Sequence, residues 1–142
     1  MSCEPILVVA GALQREDGLW LMHQRPLEKV HGGLWEFPGG KVEASEIPSE
    51  ALLRELFEEL GIRVSTQACR PLFFAEEAGS GANPAIVILL YKVTRWAGDP
   101  KALEGGKVAW FEPESMVSLD KPPLDCQLLE RLLASGAAAL AS

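Results

Sequence analysis

The sequence has little of what would fix a fold by covalent or membrane chemistry. Cysteine occurs three times, at Cys3, Cys69 and Cys126, an odd number with no CxxC pair. That spacing argues against a disulfide framework or a zinc site and suits packed thiols in a reducing compartment. Histidine occurs twice, as His23 and His31, without metal-ligand spacing, and neither is expected to act in catalysis. The longest apolar run, residues 85–91, falls far short of the ~20 residues that span a bilayer, so no membrane partner is expected. No basic flank of a signal peptide opens the chain, and a cytoplasmic location is the default. Positive charge is also scarce. Thirteen Lys and Arg against 20 Asp and Glu give a formal net charge of −7, which argues against long nucleic acid as a partner. A small polyanion would be repelled too, unless cations stood between it and the protein.

What remains is one domain's worth of chain: 142 residues, 48% hydrophobic and 23% charged. Residues 6–12 are apolar with β-branched members and predict a buried strand. Asp17-Gly18 marks a hairpin tip, with residues 19–24 as the partner strand. Residues 31–40 are rich in Gly and Pro and predict a loop with short extended pieces. Residues 72–77, 85–94 and 108–111 predict three more strands, and residues 124–133 a second helix with Leu124, Leu128, Leu129 and Leu132 on one stripe. Residues 137–142 predict a frayed tail. Nothing repeats and no linker interrupts the pattern, so residues 1–142 read as a single mixed α/β domain.

The clearest element is a helix over residues 48–60. Pro48 suits its first turn and Gly61 the left-handed position beyond its last. Ile47 stands where a capping Ser, Thr or Asp would be preferred, with Ser45 and Ser49 as nearby substitutes. At 100° per residue Leu53, Leu56 and Leu60 fall on one side, and Glu55, Glu58 and Glu59 on the other. Two such charges ~6 Å apart repel by roughly 3 kcal/mol at an effective dielectric near 20. Three of them on one face call for compensation. Hard divalent cations supply it through oxygen ligands, and Mg²⁺ shares its shell with water and substrate phosphate. A solvated acidic face is the bland alternative.

The run from Gly40 to Ile62, GKVEASEIPSEALLRELFEELGI, decides between them. It resembles the Nudix box, G-x5-E-x7-R-E-U-x-E-E-x-G-U with U a bulky aliphatic residue. Gly40, Glu46, Arg54, Glu55, Leu56, Glu58, Glu59, Gly61 and Ile62 fill every specified position. A chance match would arise on the order of once in ten million chains at average residue usage. The segments Gln24-Arg25-Pro26, Gly33 through Lys41, Arg95 through Pro100, Glu104-Gly105 and Lys121 through Asp125 are similar to the MutT-type branch of that family, the diphosphatases that sanitise nucleotide pools.

The resemblance implies an α/β/α sandwich with a mixed β-sheet, the box helix on one side and the C-terminal helix on the other. It implies hydrolysis of a nucleoside triphosphate to monophosphate and pyrophosphate, with Mg²⁺ as cofactor and Mn²⁺ as the alternative. Gly40, Glu55, Glu58, Glu59 and Glu104 would form the metal site, and the four glutamates the catalytic set, with Glu104 a ligand or general base. Glu46 and Arg54 would brace the loop against the helix. Arg25, Phe37 and Asp125 would contact the nucleotide.

Asp125 stands where the MutT-type pattern has an Asn that reads 8-oxoguanine, and Asn83-Pro84 where it has a basic side chain. The expected substrate is 8-oxo-dGTP, with CTP or a modified pyrimidine triphosphate as the alternative. A non-catalytic nucleotide-binding module would be expected to have lost box carboxylates, and this chain keeps all of them. Branches that cleave ADP-ribose, dinucleoside polyphosphates or coenzyme A tend to carry motifs absent here. The chain is expected to act as a monomer or a homodimer.

Overall fold

The structure is a computed structural model and describes residues 4–136; Cys3 and the expected tail at 137–142 lie outside the described residues. Its elements run β1 (Ile6–Leu13), β2 (Trp20–Gln24), β3 (Trp35–Glu36), β4 (Gly39–Lys41), α1 (Pro48–Leu60), β5 (Cys69–Glu77), β6 (Ile86–Val93), β7 (Lys107–Phe111), α2 (Pro113–Val117) and α3 (Pro123–Ala134).

The strands form two sheets, of which the larger is the mixed sheet expected. The four-stranded sheet has the order β4-β1-β6-β5 and is mixed, because β1 runs parallel to β6 and antiparallel to β4. The second sheet, β3-β2-β7, is antiparallel. Asp17-Gly18 does form a tight turn, with Gly18 at φ 89° and its N–H donated to the Arg15 carbonyl at 2.9 Å. The strands it joins are not ladder partners, however. Beyond one bridge, Gln14 to Trp20, both edges of β1 are taken by β4 and β6, so β2 departs into the other sheet.

Alternation along β1 divides the core. Val9 and Leu13 join Leu21, Ala51, Leu52, Leu56 and Leu60 beneath α1. Ala10 and Ala12 join Trp20, Met22, Ile88, Leu90, Leu124, Leu128 and Leu132 beneath α3. Period-two strands between two amphipathic helices give the α/β/α sandwich. Burying Leu52, Leu56 and Leu60 completely is worth about 1.5–3 kcal/mol each, which outweighs the weak start of α1.

That start has no side-chain cap from Ser45, Ser49 or Ile47. Glu50 instead reaches back and accepts the Ile47 N–H at 3.4 Å, half of a capping box. At the other end Gly61 adopts φ 74° and donates its N–H to Phe57. β5 begins at Cys69, earlier than its sequence suggested, because a register shift between Pro71 and Phe73 accommodates the proline. The short helix α2 was not anticipated. Cys69 is half-buried, whereas Cys126 is exposed and not packed as expected.

Candidate active site

β2 and β3 supply the floor of a polar cavity of about 270 Å³, and α1 one wall. It is lined by His23, Arg25, Pro26, Lys29, Glu36, Gly39, Glu55, Glu59 and Glu104. The stripe that buries α1 ends in this cavity. Leu52 and Glu59 are seven residues apart, two turns less 20°, so they share a face. Glu59 is accordingly 6% exposed, which corrects the expectation that it sits opposite the leucines. Glu55 is half-buried and Glu58 exposed.

Burial is the main reason the Glu59 carboxyl is pushed up to about 8; the negative charges of Glu36, Glu55 and Glu104 add to it, against an N–H from Gly39. Burial also raises Glu55, despite Arg54, with Glu58 and Glu104 contributing. Arg54 organises the outer side. Its Nε and one terminal nitrogen donate to Glu46 at 2.8 and 3.0 Å, a two-pronged contact that holds Glu46 down at about 2. The same terminal nitrogen donates to the Lys41 carbonyl at 3.0 Å, joining helix to loop. The remaining nitrogen reaches Glu55 at 2.9 Å and Glu58 at 3.3 Å.

Gly40 lies against this cluster. A Cβ there would run into the Glu55 carboxyl group, so only glycine lets backbone and carboxylate meet so closely. Oxygen donors from Glu55, Glu59 and Glu104, beside a backbone this close, suit a hard divalent cation that keeps some of its water. Among the described residues no three acidic or imidazole side chains converge into a finished ligand set. Arg54 accounts for part of that, since it draws Glu55 and Glu58 toward itself.

The residues expected to contact the nucleotide separate. Arg25 lines the cavity, donating to Glu36 at 3.2 Å and to the Val30 carbonyl at 2.9 Å. Phe37, expected to pack on a base, is instead a core side chain, 3% exposed, because successive residues turn to opposite faces and Glu36 takes the cavity side. Asp125 is also buried. Its carboxylate accepts the Phe37 N–H at 2.9 Å, so it neither caps α3 nor lines the cavity. Burial first, then Glu36, raises Asp125 to about 7 against the pull of the Phe37 N–H.

Sequence reasoning gave no role to His23, Lys29 or Glu36. The signal for His23 was the alternation Leu21-x-His23, which puts it on the face that Leu21 buries toward α1. Lys29 carried no pattern at all.

The fold is a two-sheet α/β/α sandwich in which the acidic helix α1 and the Arg25 guanidinium line one polar cavity. The NUDIX domain model matches residues 5–132, and the chain belongs to the Nudix family of hydrolases, whose members generally use divalent metal ions. It is 37% identical over 133 residues to the CTP pyrophosphohydrolase of Escherichia coli, covering 94% of this chain and 95% of that one. It is 35% identical over 133 residues to the 8-oxo-dGTP diphosphatase of Haemophilus influenzae, with the same coverage of 94% and 95%. Among solved structures, the Escherichia coli ORF135 protein superposes with a TM-score of 0.82 at 35% identity, covering 98% of this chain and 96% of that one. A MutT structure described for Aliivibrio salmonicida and Vibrio cholerae gives 0.78 at 29% identity, covering 93% and 99%.

Proposed function

We propose that this chain hydrolyses a nucleoside triphosphate to nucleoside monophosphate and pyrophosphate, with 8-oxo-dGTP as the favoured substrate and Mg²⁺ as the cofactor. The observation that carries the reading is the meeting of Glu55, Glu59 and Glu104 with Arg25 and Lys29 in one cavity. An anionic polyphosphate is thereby offered both cationic side chains and carboxylates for a divalent ion. The ion, held by Glu55 and Glu59 with the Gly40 backbone close by and Glu58 one turn away, would neutralise phosphate charge and activate water. Arg25 and Lys29 bind phosphate oxygens and hold the chain of phosphates for in-line attack. Glu104 is the carboxylate we assign as proton acceptor, because it is exposed and not committed to Arg54. Glu46 fixes Arg54, and Arg54 fixes the Gly40 loop against α1.

Asp125 bears on the base. Raised to about 7, it is protonated in a large fraction of molecules near neutral pH and could then donate as an amide does. The ionised form accepts only, which suits the amino group of cytosine, and the 37% identity to a CTP pyrophosphohydrolase keeps CTP or a modified pyrimidine triphosphate as the second reading. The test is a steady-state screen of canonical and oxidised nucleotides with Mg²⁺, with products identified. Pyrophosphate release and the highest kcat/KM on 8-oxo-dGTP support the proposal. Highest kcat/KM on CTP supports the second reading, and orthophosphate release or no turnover rejects both.

A further inference from the structure

His23 stands at the junction of three elements that each carry part of the acidic cavity. It is 5% exposed, which is deep for a polar side chain with no apolar task. Ring Nδ1 lies 3.4 Å from Glu59 Oε1 on α1 and 4.0 Å from Glu36 Oε1 on β3. Nδ1 has no well-formed hydrogen bond, so the 3.4 Å approach is a contact between polar groups rather than a saturated pair. Ring Nε2 lies 3.1 Å from the Gly105 carbonyl, which can only accept, so Nε2 carries the proton and donates. Gly105 follows Glu104 directly.

The loop bearing Glu104 is held from both ends. On one side the Leu103 N–H donates to the Glu59 carbonyl at 3.0 Å, tying the loop to the last turn of α1. On the other side it presses on β2 and Pro26. Gly105 and Gly106 have φ 98° and 77°, and a Cβ on Gly106 would strike the Gln24 carbonyl. That close approach brings the Gly105 carbonyl to the His23 ring. One imidazole thus touches the side chain of Glu59 with one nitrogen and the backbone next to Glu104 with the other.

We propose that His23 is a positioning residue that sets the spacing between Glu59 and Glu104, and so the fit of the cavity for a divalent ion. This rests on the hydrolase reading above. Imidazoles and carboxylates behind metal ligands orient them, and losing such a partner typically costs about 10–100-fold in metal affinity or activity. His23 does this work from two sides of one ring. Its cross-strand register with Glu36 and Val108 fixes the backbone from which the ring projects.

The test compares wild type, His23→Ala, His23→Gln and His23→Asn. It measures Mn²⁺ binding to the nucleotide-free protein by electron paramagnetic resonance of the free ion, together with kcat, KM and the melting temperature. Gln reaches as far as Nε2 and can still donate to Gly105, whereas Asn reaches only as far as Nδ1. The expected result is a drop of about 10–100-fold in Mn²⁺ affinity and kcat for His23→Ala, with nucleotide KM changed far less. Gln should recover most of the loss and Asn little of it. If His23→Ala does not fold, the Gln–Asn contrast decides, and equal behaviour of the two overturns the proposal. Wild-type affinity and kcat in His23→Ala also overturn it. A wild-type protein with no metal-dependent hydrolysis would instead reject the hydrolase reading, so the two failures are distinguishable.

Discussion

Two adjacent glycines and one glutamate show how single atoms separate stability from chemistry. A Cβ on Gly39 would collide with the Val9 carbonyl of the neighbouring strand, whereas one on Gly40 would collide with the Glu55 carboxyl group. Gly39→Ala should therefore cost stability, on the order of 1–3 kcal/mol for a forced backbone shift, read as a lower melting temperature. Gly40→Ala should melt near wild type and lose turnover instead, since a flexible side chain gives way. Equal melting losses in both would contradict this distinction. Glu59 adds a pH dependence. Its carboxyl is raised to about 8, so an ion that needs it ionised must displace a proton at neutral pH. Metal affinity should rise with pH up to about 8 and then level off. Titration calorimetry in buffers of different protonation enthalpy should detect close to one proton released at pH 7, and none released would count against Glu59 as a ligand. Glu59→Gln should reduce turnover by about 10³-fold or more, as removal of a single catalytic side chain does in other hydrolases.

At the scale of elements, the tie between α3 and the β3–β4 segment makes a separate prediction. Asp125, in the first turn of α3, accepts the Phe37 N–H from 88 residues away. Its folded value of about 7 lies above the ordinary 3.8, so the native state holds a proton that the unfolded chain has lost. Stability from this group is fully present below about pH 4 and is lost as pH rises through 7. Asp125→Asn removes that dependence but keeps an acceptor for Phe37. Its melting temperature should match wild type near pH 4 and exceed it near pH 8; a difference that does not grow between pH 4 and pH 8 would show that the carboxyl is not buried at this cost. The same variant should shift the ratio of kcat/KM for 8-oxo-dGTP over CTP upward, and an unchanged ratio would confine Asp125 to holding the fold together.

The elements were legible in the sequence where one force dominated. Helix α1 matched residues 48–60 because Pro48, Gly61 and the leucines agree on it, although its buried stripe runs through Leu52 and not the expected Leu53. The apolar run of β6 and the stripe of α3 were equally plain. Pairing was not legible: Asp17-Gly18 marks a turn correctly, yet which edge β1 offers depends on β4 and β6, distant in sequence. Helix α2, five residues long, carries too little periodicity to detect.

Across the whole molecule, the division between the two core layers explains why the box was readable and the placement of Phe37 and Asp125 was not. The box lies on one helix and one loop, so its spacing is written locally. Phe37 and Asp125 are defined by which face of β3 the chain turns to and by a contact across the sandwich, and neither leaves a local pattern. The proposed function gives the net charge of −7 a use. On the proposed function, carboxylates that would repel a polyphosphate would become its anchor once a divalent ion lay between them, with Arg25 and Lys29 lining the same cavity. Binding of Mn²⁺ to the protein with a non-hydrolysable nucleoside triphosphate, compared with the Glu55→Gln, Glu59→Gln, Glu104→Gln triple variant at pH 8, addresses this directly. The wild-type protein should hold the ion in proportion to nucleotide, and the variant should hold little or none. Equal retention by both proteins would mean that these glutamates are not what captures the metal.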